Sequence, residues 1–218
     1  MENYHKKSDL ELMVGQDEKI FYKGKPDKLC FMLESIFNPM LPFAIIWGLI
    51  DFTIMGGALL AGGAQSQELS FFLIPFFLLH LMPVWIYLGG VIFSARKHKN
   101  TEYIITDKGI YISGGIFTYN YEMKPFMDLS HVNIHRGIFD QMLGVGDVVM
   151  ICNHTSYNTR QNHSSGGMSI CDIKNYRWVF KLIKDLQTDI YADTMYPNDL
   201  RPQENHGYNT KYTRDFNN

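Results

Sequence analysis

SARKHKNTEYIITDKGIYIS, residues 94–113, changes character in the middle. Almost wholly apolar sequence precedes it, and a group of cations, Arg96, Lys97 and Lys99, ends that apolar sequence. Two alternating apolar segments then flank a tight turn at residues 107–109, a pattern typical of a β-hairpin in a water-soluble domain. The stretch therefore predicts a junction between membrane helices and a β-domain.

Two long apolar runs precede this junction. The first contains one charged residue, Asp51, and the second contains none unless His80 is protonated. Each run reaches the roughly 20 residues that a helix needs to cross about 30 Å of hydrocarbon. A buried helix pair is the alternative, but two runs this long fit poorly inside so small a globule. We predict a transmembrane hairpin over residues 38–95, with helices at about 39–62 and 69–94.

Cations lie on both flanks of the predicted hairpin, whereas its connecting turn carries only Glu68. By the positive-inside rule, both ends of the chain are cytoplasmic and only the turn is outside. We therefore expect a multi-pass protein of the plasma (cytoplasmic) membrane with both termini in the cytoplasm. The flanking cations are Lys23, Lys25, Lys28, Arg96, Lys97 and Lys99.

Beyond the junction, apolar and polar side chains alternate in six segments. Turns rich in Gly, Asp and Asn separate them, which predicts six strands in one small antiparallel barrel or sandwich. A helix follows, with Asn175 as its N-cap and one apolar stripe that can close the open end of a barrel. The stripe consists of Val179, Leu182, Ile183 and Leu186.

The same patterns set the domain boundaries. Residues 1–37 form a cytoplasmic N-terminal segment with a short strand or interfacial segment at 19–22, and residues 96–190 form the β-domain. The polar run at 153–167 predicts an exposed loop, and residues 191–218 predict a mostly disordered polar tail.

Several of these segments resemble those of a known family. The matching stretches are the lead-in DEKIFYKGKPDK (17–28), TEYIITDKGIYISGGIF (101–117), YEMKPFMDLSHVNIHRGIFDQMLGVGDV (121–148) and DIKNYRWVFKLIKDL (172–186). They resemble two-helix bacterial membrane proteins that carry a bacterial pleckstrin-homology (PH)-like domain. The resemblance implies a bent barrel of seven strands capped by a C-terminal helix. The expected fold class is therefore α+β, with a transmembrane hairpin followed by a PH-like antiparallel β-barrel and a C-terminal capping helix.

Asp51 and His80 are candidate site residues, because an antiparallel hairpin places them at one depth in the membrane. An ionised carboxylate at the bilayer centre costs roughly 2.5–3.5 kcal/mol, so Asp51 needs either a proton or a partner. His80 can be that partner. We expect this intramembrane polar pair to lock the helices or to join two chains, in preference to forming a proton-linked or ion-linked site.

Residue types that zinc accepts occur around the polar loop, at Cys152, His154, His163 and Cys171, but their spacing matches no standard structural zinc site. The two cysteines are more simply small apolar residues of adjacent strands. The sequence also lacks a phosphate-binding glycine loop, a nucleophile elbow and recognisable paired carboxylates. We therefore predict no catalytic residues, no metal and no cofactor.

The expected function is that of a non-enzymatic integral membrane protein. It would present a cytoplasmic PH-like domain for protein interaction, assembly or self-association at the inner membrane surface, without a nucleic acid or a small-molecule substrate. One alternative is an accessory subunit of a membrane transport or export system, with Asp51 and His80 at a subunit interface. Another is a lipid-headgroup-binding module, although the cations of the β-domain are scattered and balanced by acids.

Overall fold

The computed structural model describes residues 7–60, 67–152 and 167–195. The chain divides into two compact units: a helical unit, residues 31–97, and a sheet unit, formed by the segments on either side. The helices are α1 (Asp9–Met13), α2 (Lys28–Ile36), α3 (Met40–Leu60), α4 (Gln67–His80), α5 (Met82–Asn100), α6 (Ile138–Leu143) and α7 (Tyr176–Met195). The strands are β1 (Ile20–Gly24), β2 (Glu102–Thr106), β3 (Gly109–Gly114), β4 (Asn120–Pro125), β5 (Leu129–His135), β6 (Gly146–Cys152) and β7 (Gly167–Ile173).

One helix among the described residues, α3, is long and apolar enough to cross a membrane, over Met40–Gly57. Most of its side chains are not buried inside the structure; Phe52, for example, is 70% exposed. The two-helix transmembrane hairpin predicted from the sequence is therefore not supported, since the second apolar run does not form one helix that passes the same test.

The second run is divided at Leu81, and Pro83 supplies the physical reason. Proline has no N–H and its ring clashes with the preceding turn, which kinks a helix. The N–H of Val84 accordingly donates to the carbonyl of Leu81 at 2.9 Å, and the carbonyl of His80 instead accepts from the indole Nε1 of Trp47 at 2.8 Å. The N–H of Leu81 still donates to the carbonyl of Phe77, so the break is a kink between two helical segments.

The sheet unit contains two antiparallel sheets, with strand orders β1-β2-β3-β4 and β5-β6-β7. Its seven described strands match the number that the resemblance implies. The closed barrel, however, was wrong: β4 ends at Pro125, and a 3-10 turn at Phe126–Asp128 carries the chain from the first sheet into the second. Phe126 is fully buried there, so the turn is fixed in the core.

The first strand of the four-stranded sheet comes from the segment before the helical unit. β1 pairs antiparallel with β2, with Lys23 opposite Ile104 and Gly24 opposite Tyr103. The sheet unit therefore includes a strand from residues 1–37, which the sequence analysis treated as a separate segment.

The C-terminal helix covers the second sheet. α7 packs against β5 and β6, and the predicted apolar stripe lies in the core, where Val179, Leu182 and Ile183 are fully buried. The helix continues to Met195, beyond the predicted start of the disordered tail at residue 191. The remainder of that tail, from residue 196, lies outside the described residues, as do residues 153–166 of the predicted loop.

Because neighbouring strands run in opposite directions, the connections between them lie at two opposite ends of the sheet unit. The β1–β2 connection, the β3–β4 loop and α6 lie at one end, which we call the insertion end because the helical unit is inserted there. Contacts at this end join the segment after β1 to the second sheet and to α6: the N–H of Asp27 donates to the carbonyl of Asp172 at 2.7 Å, and the thiol of Cys30 donates to Asp140 at 3.2 Å. The β2–β3 turn and the 3-10 turn lie at the opposite end, called the far end.

Because β1 belongs to the sheet unit, residues 98–195 alone should not fold. We expect a chain in which a Gly/Ser linker replaces residues 31–97, joining residues 7–30 to 98–195, to fold as a soluble domain. Circular dichroism melting and amide dispersion in NMR spectra would measure this. Cooperative unfolding of residues 98–195 without the first segment would contradict the role given to β1.

Candidate functional site

The two candidate residues of the helical unit are in direct contact. Nδ1 of His80 lies 2.7 Å from Oδ1 of Asp51, between α4 and α3. The Asp51 side chain is 3% exposed and that of His80 is 35% exposed. The pair therefore forms a buried polar contact in otherwise apolar helices, as expected for a group that needs a partner away from water.

Aromatic rings fix the imidazole of His80. Trp47 stacks on it with ring centroids 5.0 Å apart, and Phe76, one turn earlier on α4, stacks at 5.3 Å. The indole of Trp47 also donates to the carbonyl that the Pro83 kink releases. The same kink thus contributes to the position of both the imidazole and the ring that stacks on it.

The second carboxyl oxygen of Asp51, Oδ2, is buried and has no hydrogen-bond partner among the described residues. A buried acceptor without a donor costs about 1–3 kcal/mol. Protonation of the carboxyl group or a donor from another molecule would remove this cost. Within the described residues, the contact with His80 thus satisfies one of the two carboxyl oxygens of Asp51.

The predicted flanking cations lie in different environments. Lys23 is a strand residue of β1, whose Nζ lies 2.6 Å from Glu11 and 3.4 Å from Glu102. Lys25 and Lys28 are exposed in the connection that follows β1. The other three form a group at the C-terminal end of α5: Arg96, Lys97 and Lys99.

A cluster that the sequence analysis missed lies at the insertion end, where Cys30, Asp140 and Asp172 are all buried. Cys30 comes from α2, Asp140 from α6 and Asp172 from β7, so no local spacing could have revealed the group. Asp140 also accepts from the backbone N–H of Gly137 at 2.7 Å, closing the first turn of α6. The strand-and-turn pattern predicted from the sequence contains no helix at this position.

The cluster contains donor atoms that a metal ion could use, since the ligand atoms of Cys30, Asp140 and Asp172 lie within 4.8 Å of one another. Burial, followed by the hydrogen bond to Asp140, raises the pKa of the Cys30 thiol. The thiol therefore stays protonated and donates to a carboxylate, whereas a metal would require the thiolate. The contacts describe a hydrogen-bonded junction of the segment after β1 with the second sheet and α6.

The zinc hypothesis fails for its two described cysteines. Cys152 ends β6 beside the start of β7, whereas Cys171 lies near the Gly146–Ile173 pairing at the opposite end of these strands. Two residues at opposite ends of a strand pair cannot bind one ion. His154 and His163 lie outside the described residues.

Two antiparallel sheets followed by a C-terminal helix define a PH-like domain, a fold that suggests a module for protein or lipid interaction. The family model described as Bacterial PH domain matches residues 50–185, which is more than half of the chain. The chain therefore belongs to the bacterial PH domain family. This confirms the PH-like part of the resemblance seen in the sequence. Searches of curated proteins and of solved structures find no match.

The Asp51–His80 contact is expected to stabilise the helical unit only as a pair. His80→Phe keeps an aromatic ring between Trp47 and Phe76 but leaves both oxygens of Asp51 without a donor, so unfolding should become easier by about 1–3 kcal/mol. Adding Asp51→Leu should restore most of that loss. Steric trapping or SDS unfolding in bicelles would measure both variants, with Thr53→Val as an exposed control on α3. Equal, additive losses would contradict the pairing.

Stability should depend on pH through Asp147, on β6 beside the cluster. Burial raises the pKa of Asp147 although the N–H of Asp172 donates to it, and the charge of Asp140 raises it further. The folded state thus binds more protons than the unfolded state above the unfolded pKa of about 3.9, so stability falls as pH rises through the window between the two pKa values.

Asp147→Asn should therefore gain stability relative to the parent as the pH rises above about 4. The asparagine Oδ1 still accepts from Asp172, which keeps the local geometry. Pulse proteolysis of the full-length chain in urea across the pH range would measure it, with Asp128→Asn as a control for losing one carboxylate elsewhere. An identical change in both variants would refute the role of Asp147.

Proposed function

We propose that this chain is a non-enzymatic integral membrane protein that presents its PH-like domain at the cytoplasmic surface for protein interaction or assembly. The observation that carries the proposal is the pairing of β1 with β2 on either side of the apolar helical unit. The inserted segment interrupts the domain, so the domain is attached to the proposed anchor through two chain connections.

The same pairing argues for two membrane crossings. The two ends of the inserted segment adjoin neighbouring strands of one sheet. A chain that crosses a bilayer through α3 therefore has to cross back. The apolar sequence available for the return is α4 and α5, which the Pro83 kink joins with helical hydrogen bonds on both sides of Leu81. Kinked helices are common in membranes, where neighbouring groups satisfy the released carbonyl. The indole of Trp47 does so here.

The cations support a cytoplasmic location of the domain. Lys25, Lys28, Arg96, Lys97 and Lys99 lie at the two connections between the units, and positive charge next to a span stays on the cytoplasmic side. Tethering then raises the effective concentration of the domain for other proteins of the same membrane. An interaction module gains affinity in this way without a large interface of its own.

The sheet edges offer surfaces for such a partner. Within the described residues, β4 is the last strand of its sheet and β5 is an outer strand of the other. His131, Asn133 and His135 lie exposed on one face of β5. An outer strand can accept a strand of another protein through main-chain hydrogen bonds.

A second candidate function is that of an accessory subunit in a membrane transport or export system. The buried Oδ2 of Asp51, without a donor among the described residues, favours it, because a donor from another subunit could complete the site. Asp51→Asn, with Thr53→Val as its control, separates the two functions. Loss of transport with an intact localisation and partner set supports the subunit role, and indifference supports the anchor.

Topology is the first test of the proposal. A single cysteine at Ser66→Cys, in the predicted outer turn, should react with an impermeant maleimide in intact cells, whereas Lys108→Cys at the far end should react only after permeabilisation. The parent chain, with its own three cysteines, gives the background. Labelling of both positions only in permeabilised cells would contradict a membrane-crossing hairpin.

Assembly is the second test. Native mass spectrometry of the full-length chain, extracted gently from its own membrane, should give a mass with several copies or with a second protein. A single chain without any protein partner would contradict the assembly function, and a defined lipid on that chain would favour headgroup binding.

A further inference from the structure

Large apolar side chains project into solvent at the insertion end of the sheet unit. In the β3–β4 loop, Phe117 is 69% exposed and Tyr119 is 56% exposed. On α6, Ile138 and Met142 are each 76% exposed. Soluble domains carry single exposed apolar residues without consequence, but two projecting pairs at one end indicate a surface that another apolar phase covers.

The loop that carries the aromatic pair is fixed to the start of the β2 strand. The side chain of Asn100 donates to the carbonyl of Gly115 at 3.0 Å, and Ser113 donates to the carbonyl of Asn100 at 2.9 Å. Gly115 has φ +124°, and a Cβ there would lie 1.8 Å from the carbonyl oxygen of Thr118. Only glycine permits this turn, so the loop holds its aromatic side chains in a defined place.

The helix that carries the aliphatic pair is fixed from its inner side. Asp140 is fully buried and accepts from Cys30 and Gly137, while Arg136 donates to the carbonyls of Asp140 and Val145. Ile138 and Met142 are four residues apart and share one face of α6. That face is held outward because the opposite side of the helix is bonded into the cluster.

The insertion end is also positively charged at its two chain connections. Lys25 and Lys28 are exposed on the first connection, and Lys99 is exposed on the second. Both connections lead from this end into the apolar helical unit. Exposed cations around projecting apolar residues match the surface of a bilayer with anionic lipids, where aromatic rings lie at the headgroup level.

We propose that the insertion end is a membrane-docking surface, in which Phe117, Tyr119, Ile138 and Met142 enter the headgroup–acyl boundary of an anionic bilayer. This inference rests on the proposed function, because the bilayer is the one that the helical unit crosses. Docking holds the domain in one orientation and leaves the far end directed to the cytoplasm. A second copy of the chain fits less well, since a symmetric contact would bring the same lysines together.

The test uses the full-length chain in vesicles of phosphatidylcholine and phosphatidylglycerol. An environment-sensitive NBD label is placed at Phe117→Cys or Ile138→Cys, and quenching by lipids with a doxyl group near the headgroup is measured. Met127→Cys is the matched control, because Met127 is 60% exposed but lies at the far end. Phe52→Cys, on α3, reports whether the helical unit is in lipid at all. The parent chain gives the background from its own cysteines.

We expect the labels at positions 117 and 138 to be quenched severalfold more than the label at 127, and more by shallow than by deep doxyl groups. If the label at position 52 is quenched but the labels at positions 117 and 138 are quenched no more than the label at 127, the docking surface is wrong and the membrane anchor stands. No quenching at 52 would instead overturn the membrane anchoring of the proposed function. Labels at 117 and 138 that are shielded from aqueous iodide without lipid quenching would reveal a protein on this surface, which also overturns the proposal.

Discussion

The pairing of β1 with β2 is the constraint on which the rest of the architecture depends. Adjacent strands lie about 4.8 Å apart, so Gly24 and Tyr103 fix the two ends of the inserted segment side by side. Closing so long a loop costs conformational entropy, although the cost grows only slowly with loop length.

Asp140 and Asp51, two of the buried acids among the described residues, illustrate two ways of keeping a carboxyl group away from water. The carboxyl group of Asp140 accepts hydrogen bonds from the backbone N–H of Gly137 and the thiol of Cys30, so both of its oxygens have donors within the sheet unit. Asp51 receives one imidazole, and its second oxygen has no donor in the described part of the chain. Buried polar groups are generally satisfied, and an exception calls for an explanation. Within the described residues, Asp51 thus has one of its two carboxyl oxygens satisfied, by a side chain from another helix.

Local patterns in the sequence predicted the elements that local physics determines. Strict alternation predicted the β2–β3 hairpin, and a helical stripe around Leu182 predicted α7. The sequence also predicted the contact between Asp51 and His80, on the assumption that the two apolar runs lie antiparallel. In contrast, α6 has only six residues, too few to show helical periodicity, and its start depends on the side chain of Asp140.

Features that depend on distant segments were not predictable in the same way. The membership of β1 in the sheet, the separation into two sheets at Pro125 and the cluster around Cys30 all join residues far apart in the chain. The break at Leu81 has a local cause in Pro83, but Trp47, whose indole donates to the released carbonyl of His80, comes from another helix. The periodicity of one segment predicts only the structure of that segment, whereas these contacts form between segments that are distant in the sequence.

The sheet unit has two chain connections to the helical unit, and two connections constrain a domain more than one does. One tether would raise its local concentration but leave it free to rotate. Two connections from the same end restrict rotation, because the chain leaves through residues 25–30 and returns through 98–101. Among the described residues, β4 and β5 are outer strands of their sheets. The insertion of helices between two paired strands thus gives the sheet unit two attachment points, which is the constraint on which the proposed function rests.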